Sequence, residues 1–208
     1  MSETFDGEFR IVNWNVAGAD CRFNGGKAEQ AAQFIVKEAA ALDANVITLQ
    51  ELSGMGLYEL AERLPSPWRS YPRQFGESLI VTCVQGKASN VRWQRLGGTR
   101  YNRFTDWWGY VQLEYHGVQI TNVHTRAHWA DAHVKELHAN VKTGLVAGDF
   151  NHETPGWHQT AAKLEPTHSN GKIDHILTVE KPRKASGDAR SKGGSNHKVV
   201  VATVRLGR

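Results

Sequence analysis

The stretch Leu145-Val146-Ala147-Gly148-Asp149-Phe150-Asn151-His152 decides how the chain is read. Three apolar residues and a glycine predict a short buried strand that stops where Asp149 and Asn151 begin. An Asp and an Asn two positions apart at a strand end project to the same side. That sets a proton acceptor beside an amide at the rim of a sheet, where catalytic groups often sit. An ordinary Asx turn closing the strand is the competing reading, and taken alone the stretch fits the turn slightly better. Its weight comes from four other strand ends that carry the same kind of polar residue.

Upstream, residues 9–16 alternate and are rich in β-branched and aromatic side chains, which predicts a strand with Asn15 near its end. Ala28, Ala31, Ala32, Ile35, Ala39 and Leu42 fall at helical spacing. Residues 46–51 then form a second buried strand ending in Glu51, so a right-handed crossover between parallel strands is expected. A short helix over 55–64 is stopped by Pro65 and Pro67. Strands at 78–84, 91–93, 108–115 and 118–123 follow, separated by glycine-containing turns, and predict an antiparallel meander with a hairpin at His116-Gly117. His124 ends its last strand. Ala130, Val134, Leu137 and Val141 mark a further amphipathic helix leading into the Leu145 strand. A less regular segment, 154–169, precedes a strand at 172–178 that contains Asp174; a basic loop at 183–194 precedes the closing strand at 198–204.

The 208 residues, 40% hydrophobic, fit one domain spanning 1–208. No apolar run is long enough to span a bilayer, so no membrane insertion is expected. The acidic, polar first residues do not read as a secretory signal, which points to the cytoplasm unless a leader has been removed. Cys21 and Cys83 belong to no CxxC pair and make no disulfide framework. Lys and Arg number 25 against 21 Asp and Glu, but the distribution says more. Residues 181–208 hold eight basic side chains and one acid, Asp188; Arg92, Arg95, Arg100 and Arg103 form a second cluster. Either cluster alone reads as a solvated face; together they raise the local potential for phosphate polyanions. His128, His133 and His138 are five apart, lack the spacing that puts two ligands on one helical face, and have no cysteine partners, so zinc is not expected.

Asn15, Glu51, His124, Asp149, Asn151, Asp174 and His197 all fall at or near strand ends. Any one of them has a structural explanation; the recurrence does not. Asn13-Trp14-Asn15-Val16, Leu49-Gln50-Glu51, Asn122-Val123-His124, Gly148-Asp149-Phe150-Asn151, Ile173-Asp174-His175 and Ser195-Asn196-His197 also resemble, in order, the motifs of the endonuclease/exonuclease/phosphatase superfamily. The details resemble deoxyribonuclease I and the catalytic subunit of cytolethal distending toxins.

The resemblance implies an α/β fold, a four-layer αββα sandwich of two packed mixed β-sheets flanked by helices, with the site at one edge. It also implies metal-assisted attack of water on a phosphodiester. Glu51, assisted by Asn15, is expected to hold Mg²⁺, with Mn²⁺ as the alternative. Asp149 is expected to orient and deprotonate the water, and Asn151 to hold that water or a phosphate oxygen. Asp174 is expected to keep His197 cationic, to stabilise the transition state or serve as acid, while His124, paired with Glu77, is the candidate acid on the leaving-group side. The resemblance leaves the split of duties between the two histidines open. Asn196 stands where the family usually carries an Asp; it offers a carbonyl oxygen to the metal but no charge. Arg103, Arg126 and Trp107 are expected to grip a phosphate backbone. The expected partner is nucleic acid, DNA ahead of RNA, bound by a monomer. Two other readings stand beside it: a phosphatase or phospholipase acting on inositol phosphates, phosphoinositides or sphingomyelin, and a silent nucleic-acid-binding relative.

Overall fold

A computed structural model describes residues 5–17, 27–76, 78–97, 108–160 and 166–207. In chain order the strands begin with β1 (Phe9–Asn15), β2 (Val46–Leu52), β3 (Trp68–Phe75), β4 (Ser78–Gln85), β5 (Ser89–Arg95) and β6 (Gly109–Tyr115). They continue with β7 (Val118–His124), β8 (Leu145–Asp149), β9 (His158–Gln159), β10 (Asp174–Thr178), β11 (Lys184–Ala189) and β12 (Val200–Arg205). The α-helices are α1 (Ala28–Leu42), α2 (Gly54–Arg63) and α3 (Ala130–Asn140). One sheet runs β11-β12-β1-β2-β4-β3 and the other β5-β6-β7-β8-β10-β9.

Each sheet is mixed, with one parallel pair at its centre: β1 with β2 across α1, and β7 with β8 across α3. A parallel pair needs a crossover, and an amphipathic helix supplies it while covering the sheet. Helix α1 lays Ala28, Ala31, Ala32, Ile35 and Ala39 against the first sheet, the small alanines allowing close approach. It stops at Asp43, which takes a left-handed conformation and returns its N–H to the Ala39 and Ala40 carbonyls. The Ser53 hydroxyl caps α2 by accepting from the Gly56 N–H. The β6–β7 hairpin turns through His116 and Gly117, both at positive φ, as a tight antiparallel connection requires.

The expected middle meander is split between the sheets. Residues 78–85 pair with β2 and β3 in the first sheet, whereas β5, β6 and β7 belong to the second. Strand β3 was not expected, because its residues are half-exposed and include Pro72; an edge strand tolerates both. Residues 184–189, expected as loop, likewise form an edge strand on β12. These surprises, and the short β9 in the segment expected to be irregular, are all edges, where alternation is weak and pairing does the ordering.

The pleat sorts side chains into layers. Val12, Trp14, Ile47, Leu49, Val81 and Val201 face α1 and α2, while Val123, Val146, Phe150 and Leu177 face α3. Opposite-parity residues of the same strands fill the space between the sheets: Phe9, Ile11, Val46, Val84, Ile120, Leu145, Ile176 and Val204. Followed along those strands, this inner face changes character. Asn13, Thr48, Gln50, Thr82 and Asn122 continue it as buried polar residues, and Asn15, His124, Asp149 and Asp174 end it.

Candidate active site

The buried amides tie the two sheets together just below the rim. Gln50 Nε2 donates to Asn13 Oδ1 at 3.0 Å and across to Asn122 Oδ1 at 2.7 Å. Asn122 Nδ2 returns a bond to the Val81 carbonyl at 2.9 Å, and Thr48 Oγ1 donates to Asn13 Oδ1 at 2.9 Å. All are fully buried, so each donor lost here would leave an acceptor without water. Each of the three amides lies next to, or two positions before, a residue of the rim: Gln50 before Glu51, Asn13 before Asn15 and Asn122 before His124.

At the rim, Asn15 Nδ2 donates to Asp149 Oδ2 at 2.9 Å and to Glu51 Oε1 at 3.2 Å. His124 Nε2 lies 3.4 Å from Glu51 Oε1 and 3.9 Å from Asp149 Oδ2. His197 Nε2 lies 4.0 Å from the same Asp149 oxygen. Its Nδ1 is held by both oxygens of the fully buried Asp174, at 2.9 and 3.1 Å. Five residues from both sheets and from the loop before β12 therefore converge on one Asp149 oxygen or its neighbours.

Local backbone explains how they get there. Asp149 pairs in register with His124 and with Asp174, so the three strand ends are level. The Asn151 N–H donates to Asp149 Oδ1 at 2.8 Å, and the Thr125 N–H to the Asp149 carbonyl at 2.9 Å. The Asx turn is therefore real, and it orients the acid rather than replacing it. Asn151, at positive φ, does not project beside Asp149; its amide donates to the Thr125 carbonyl at 2.8 Å. Gly148 is required where it stands: its φ is +153°, and a Cβ there would lie 1.9 Å from the Val123 carbonyl oxygen. Glu51 also sits at positive φ, within the irregular part of the β2–β4 pairing, so β2 turns its carboxylate out of the pleat.

Ser195 stitches the last element on. Its hydroxyl donates to the Asn15 carbonyl at 2.8 Å and accepts from the His197 N–H at 3.0 Å. Trp14 Nε1 donates to the His197 carbonyl at 3.2 Å.

Burial sets the charges. Desolvation first, then the nearby Asp174 charge, pushes the Asp149 carboxyl up to about 7, against the pull of His197 and Asn15. Burial lowers the His197 imidazole, but the Asp174 hydrogen bond and the charges of Asp174, Asp149 and Glu51 outweigh it, so the net shift is upward. Glu51 is the open member of the set: its side chain is 25% exposed, against 3% for Asp149.

Arg126, half-buried, puts its guanidinium 4.8 Å from the Trp108 ring. The Asn196 side chain is exposed and lies 3.2 Å from His168 Nε2; among the described residues no hydrogen bond joins it to Glu51 or Asn15. Glu77, Arg103 and Trp107, with Cys21 and Arg100, lie outside the described residues. Within those residues, Asp149, Asp174 and His197 form the one trio whose ligand atoms all lie within 4.8 Å of one another. Sequence reasoning overlooked the buried amides, although polar residues at even spacing inside apolar strands were a usable signal. It also overlooked Ser195 as a hub, and His168, which stacks on His197 with ring centroids 4.5 Å apart.

No curated protein sequence matches the chain. Among solved structures, an endonuclease/exonuclease/phosphatase family protein from Leptotrichia buccalis has a TM-score of 0.72 at 11% identity, covering 96% of this chain and 100% of that one. A protein of the same family from Bacteroides thetaiotaomicron gives 0.72 at 14%, over 97% and 98%. TDP2 from D. rerio, complexed with a single-strand DNA product, gives 0.70 at 14%, over 96% and 99%. At such identities these likenesses establish the fold, the expected sandwich of two mixed sheets. The model of the endonuclease/exonuclease/phosphatase family matches residues 12–197, from the first strand to the histidine held by Asp174, and the chain belongs to that family.

Proposed function

We propose that the chain is a divalent-metal-dependent endonuclease that hydrolyses DNA phosphodiester bonds by attack of water. The family acts on phosphoester bonds in general. The observation that carries the finer reading is the meeting of His124 and His197 on one Asp149 oxygen within 4.0 Å, with Glu51 3.4 Å from His124. A nucleic-acid partner is supported by the net charge of +4 and by Arg126 and Trp108 near the site; Arg103 and Trp107 are assigned to the same contact. The DNA product on the similarly folded D. rerio TDP2 is consistent with this.

The donor set fits a hard cation. Glu51 offers a carboxylate oxygen that is partly open to solvent and 3.2 Å from the Asn15 amide, and oxygen ligands of this kind suit Mg²⁺ or Mn²⁺. We assign the metal to Glu51, the more open carboxylate, with Asn15 beside it. The Asp149–Asp174–His197 trio reads better as an acid–base pair with its base, because both Asp174 oxygens are already spent on His197 Nδ1. When bound, the ion polarises the phosphoryl oxygens and offsets their charge.

The chain's own groups supply the rest. Asp149, titrating near 7 and fixed by the Asn15 and Asn151 donors, accepts a proton from the attacking water. His197, charged and oriented through Nδ1 by Asp174, presents Nε2 to the phosphoryl oxygens as charge builds. His124 is assigned to protonate the leaving oxygen, with Glu77 as its partner. Asn151 is assigned to hold the Asp149 turn.

Nicking of supercoiled plasmid in Mg²⁺ and in EDTA, beside release of phosphate from inositol phosphates, tests the reading. Nicking that EDTA abolishes is expected. Phosphate release without nicking would instead make the chain a phosphatase, and DNA retention without turnover a binding module.

A further inference from the structure

His168 lies at the edge of the site, in a turn whose construction fixes more than its own position. Its N–H and the Thr167 N–H both donate to the Gly171 carbonyl at 3.1 Å. The fully buried Thr167 hydroxyl accepts from the Asp174 N–H at 3.1 Å, and the Thr167 carbonyl accepts from the Lys198 N–H at 2.7 Å. The residue preceding His168 is thus bonded to Asp174 and to the neighbour of His197. The imidazole itself lies against the His197 ring, 4.5 Å away and within 28° of parallel.

The hydrogen bonds decide the tautomer. The Asn170 backbone N–H donates to His168 Nδ1 at 3.1 Å, so that nitrogen carries a lone pair and no proton. The ring proton must then be on Nε2. Nε2 lies 3.2 Å from the Asn196 amide nitrogen, and two N–H groups cannot face each other. The oxygen and nitrogen of an amide have the same outline, and donors decide which is which. With Nε2–H as the fixed donor, Asn196 must turn its oxygen to His168. That gives one lone pair of the Asn196 oxygen to His168.

We propose that His168 is a positioning residue of this centre: with its proton on Nε2 it bonds the Asn196 side-chain oxygen and lies flat on His197, fixing the plane of that ring. The inference rests on the phosphodiesterase reading of the site. Asp174 holds only the Nδ1 edge of His197, about which the ring can still rock. A flat neighbour removes that freedom and fixes where Nε2, on the far side, points. Orientation of this kind raises the rate of the bound complex and adds little to binding.

Two measurements test it. In plasmid-nicking kinetics, His168→Ala is expected to lower kcat on the order of 10-fold with KM moved less than about 2-fold. His168→Phe, which keeps a flat face, is expected to restore kcat to within about 3-fold of the parent, since stacking rather than the polar bond sets the plane. An unchanged kcat in His168→Ala, equal losses in both variants, or a change confined to KM would overturn the proposal. Separately, ¹⁵N NMR of the imidazoles in the full-length unsubstituted protein is expected to show His168 protonated on Nε2 and bare on Nδ1, with proton contacts between the two rings. The opposite tautomer, or rings that do not touch, would overturn it even if the variants failed to fold. If the unsubstituted protein shows no turnover at all, the function reading fails, while the NMR result still decides whether His168 holds His197.

Discussion

The two ends of the space between the sheets are built largely by the same strands on the same face of the pleat, Glu51 and the loop residue His197 apart, and differ in almost every physical respect. At one end Ile11, Val46, Val84, Ile120, Leu145 and Ile176 make a dry apolar core. At the other, Asn15, Glu51, His124, Asp149, Asp174 and His197 crowd three carboxylates and two imidazoles into a largely buried cluster. Between them lies the band of Asn13, Thr48, Gln50, Thr82 and Asn122. The apolar end yields free energy on folding; the charged end costs it, because desolvated carboxylates stay close together. One end therefore holds the sheets in the alignment that the other needs for chemistry, and the amide band passes that alignment on.

The sharpest way to break this contrast is at the charged end. Asp149→Ala is expected to lower the nicking rate by about 10²–10⁴-fold, as loss of a general base does, while the protein stays folded. If the variant nicked like its parent, the assignment of the base would fail.

Leu145→Ala probes the apolar end. It removes a fully buried side chain and is expected to cost about 2–5 kcal/mol in urea unfolding. Activity per folded molecule should hold; a comparable fall in kcat would mean that the two ends are not separate in function.

The band between them should show both effects at reduced size. Gln50→Leu removes the Gln50 donor from Asn122 Oδ1, and one of two donors from Asn13 Oδ1, which keeps Thr48, a cost of about 1–3 kcal/mol. It should also lower kcat, because Glu51 follows Gln50 directly and His124 lies two residues after Asn122.

A smaller test uses pH. The folded Asp149 carboxyl titrates near 7, above its ordinary 3.8, so the folded state holds a proton that the unfolded chain has released between those values. Stability therefore falls as pH rises from about 4 to 7 and levels off above. His197 acts in the same sense: its raised pKa contributes stability below its ordinary range that is lost as pH climbs through the folded value. Thermal melts in EDTA should show this slope, and Asp149→Ala should flatten its lower part. A parent curve that rises over that window would contradict the burial argument.

Much of this was legible in the chain itself. The crossover from Asn15 to Glu51, the His116–Gly117 hairpin and the helix before Leu145 follow from local periodicity, and the structure has them. The two mixed sheets, with polar strand ends gathered at one edge, are what the family resemblance implied, and the structure has these too. Edge strands β3 and β11 were not legible, because Pro72 and the polar run 184–189 lack the alternation that buried strands show. The assignment of β4 to the first sheet was hidden too, since nothing local distinguishes a meander in one sheet from one that changes sheets.

The sequence by itself determined which residues alternate, which strands end in ionisable side chains, and to which family the ordered motifs point, since each depends on neighbours a few positions apart. Tertiary structure alone decided that Glu51 turns out of the pleat toward His124, that Asn196 goes to His168, and that His168 lies on His197. Those contacts join residues up to 73 positions apart in sequence, and their geometry is set by how two sheets pack and by where buried donors must find acceptors.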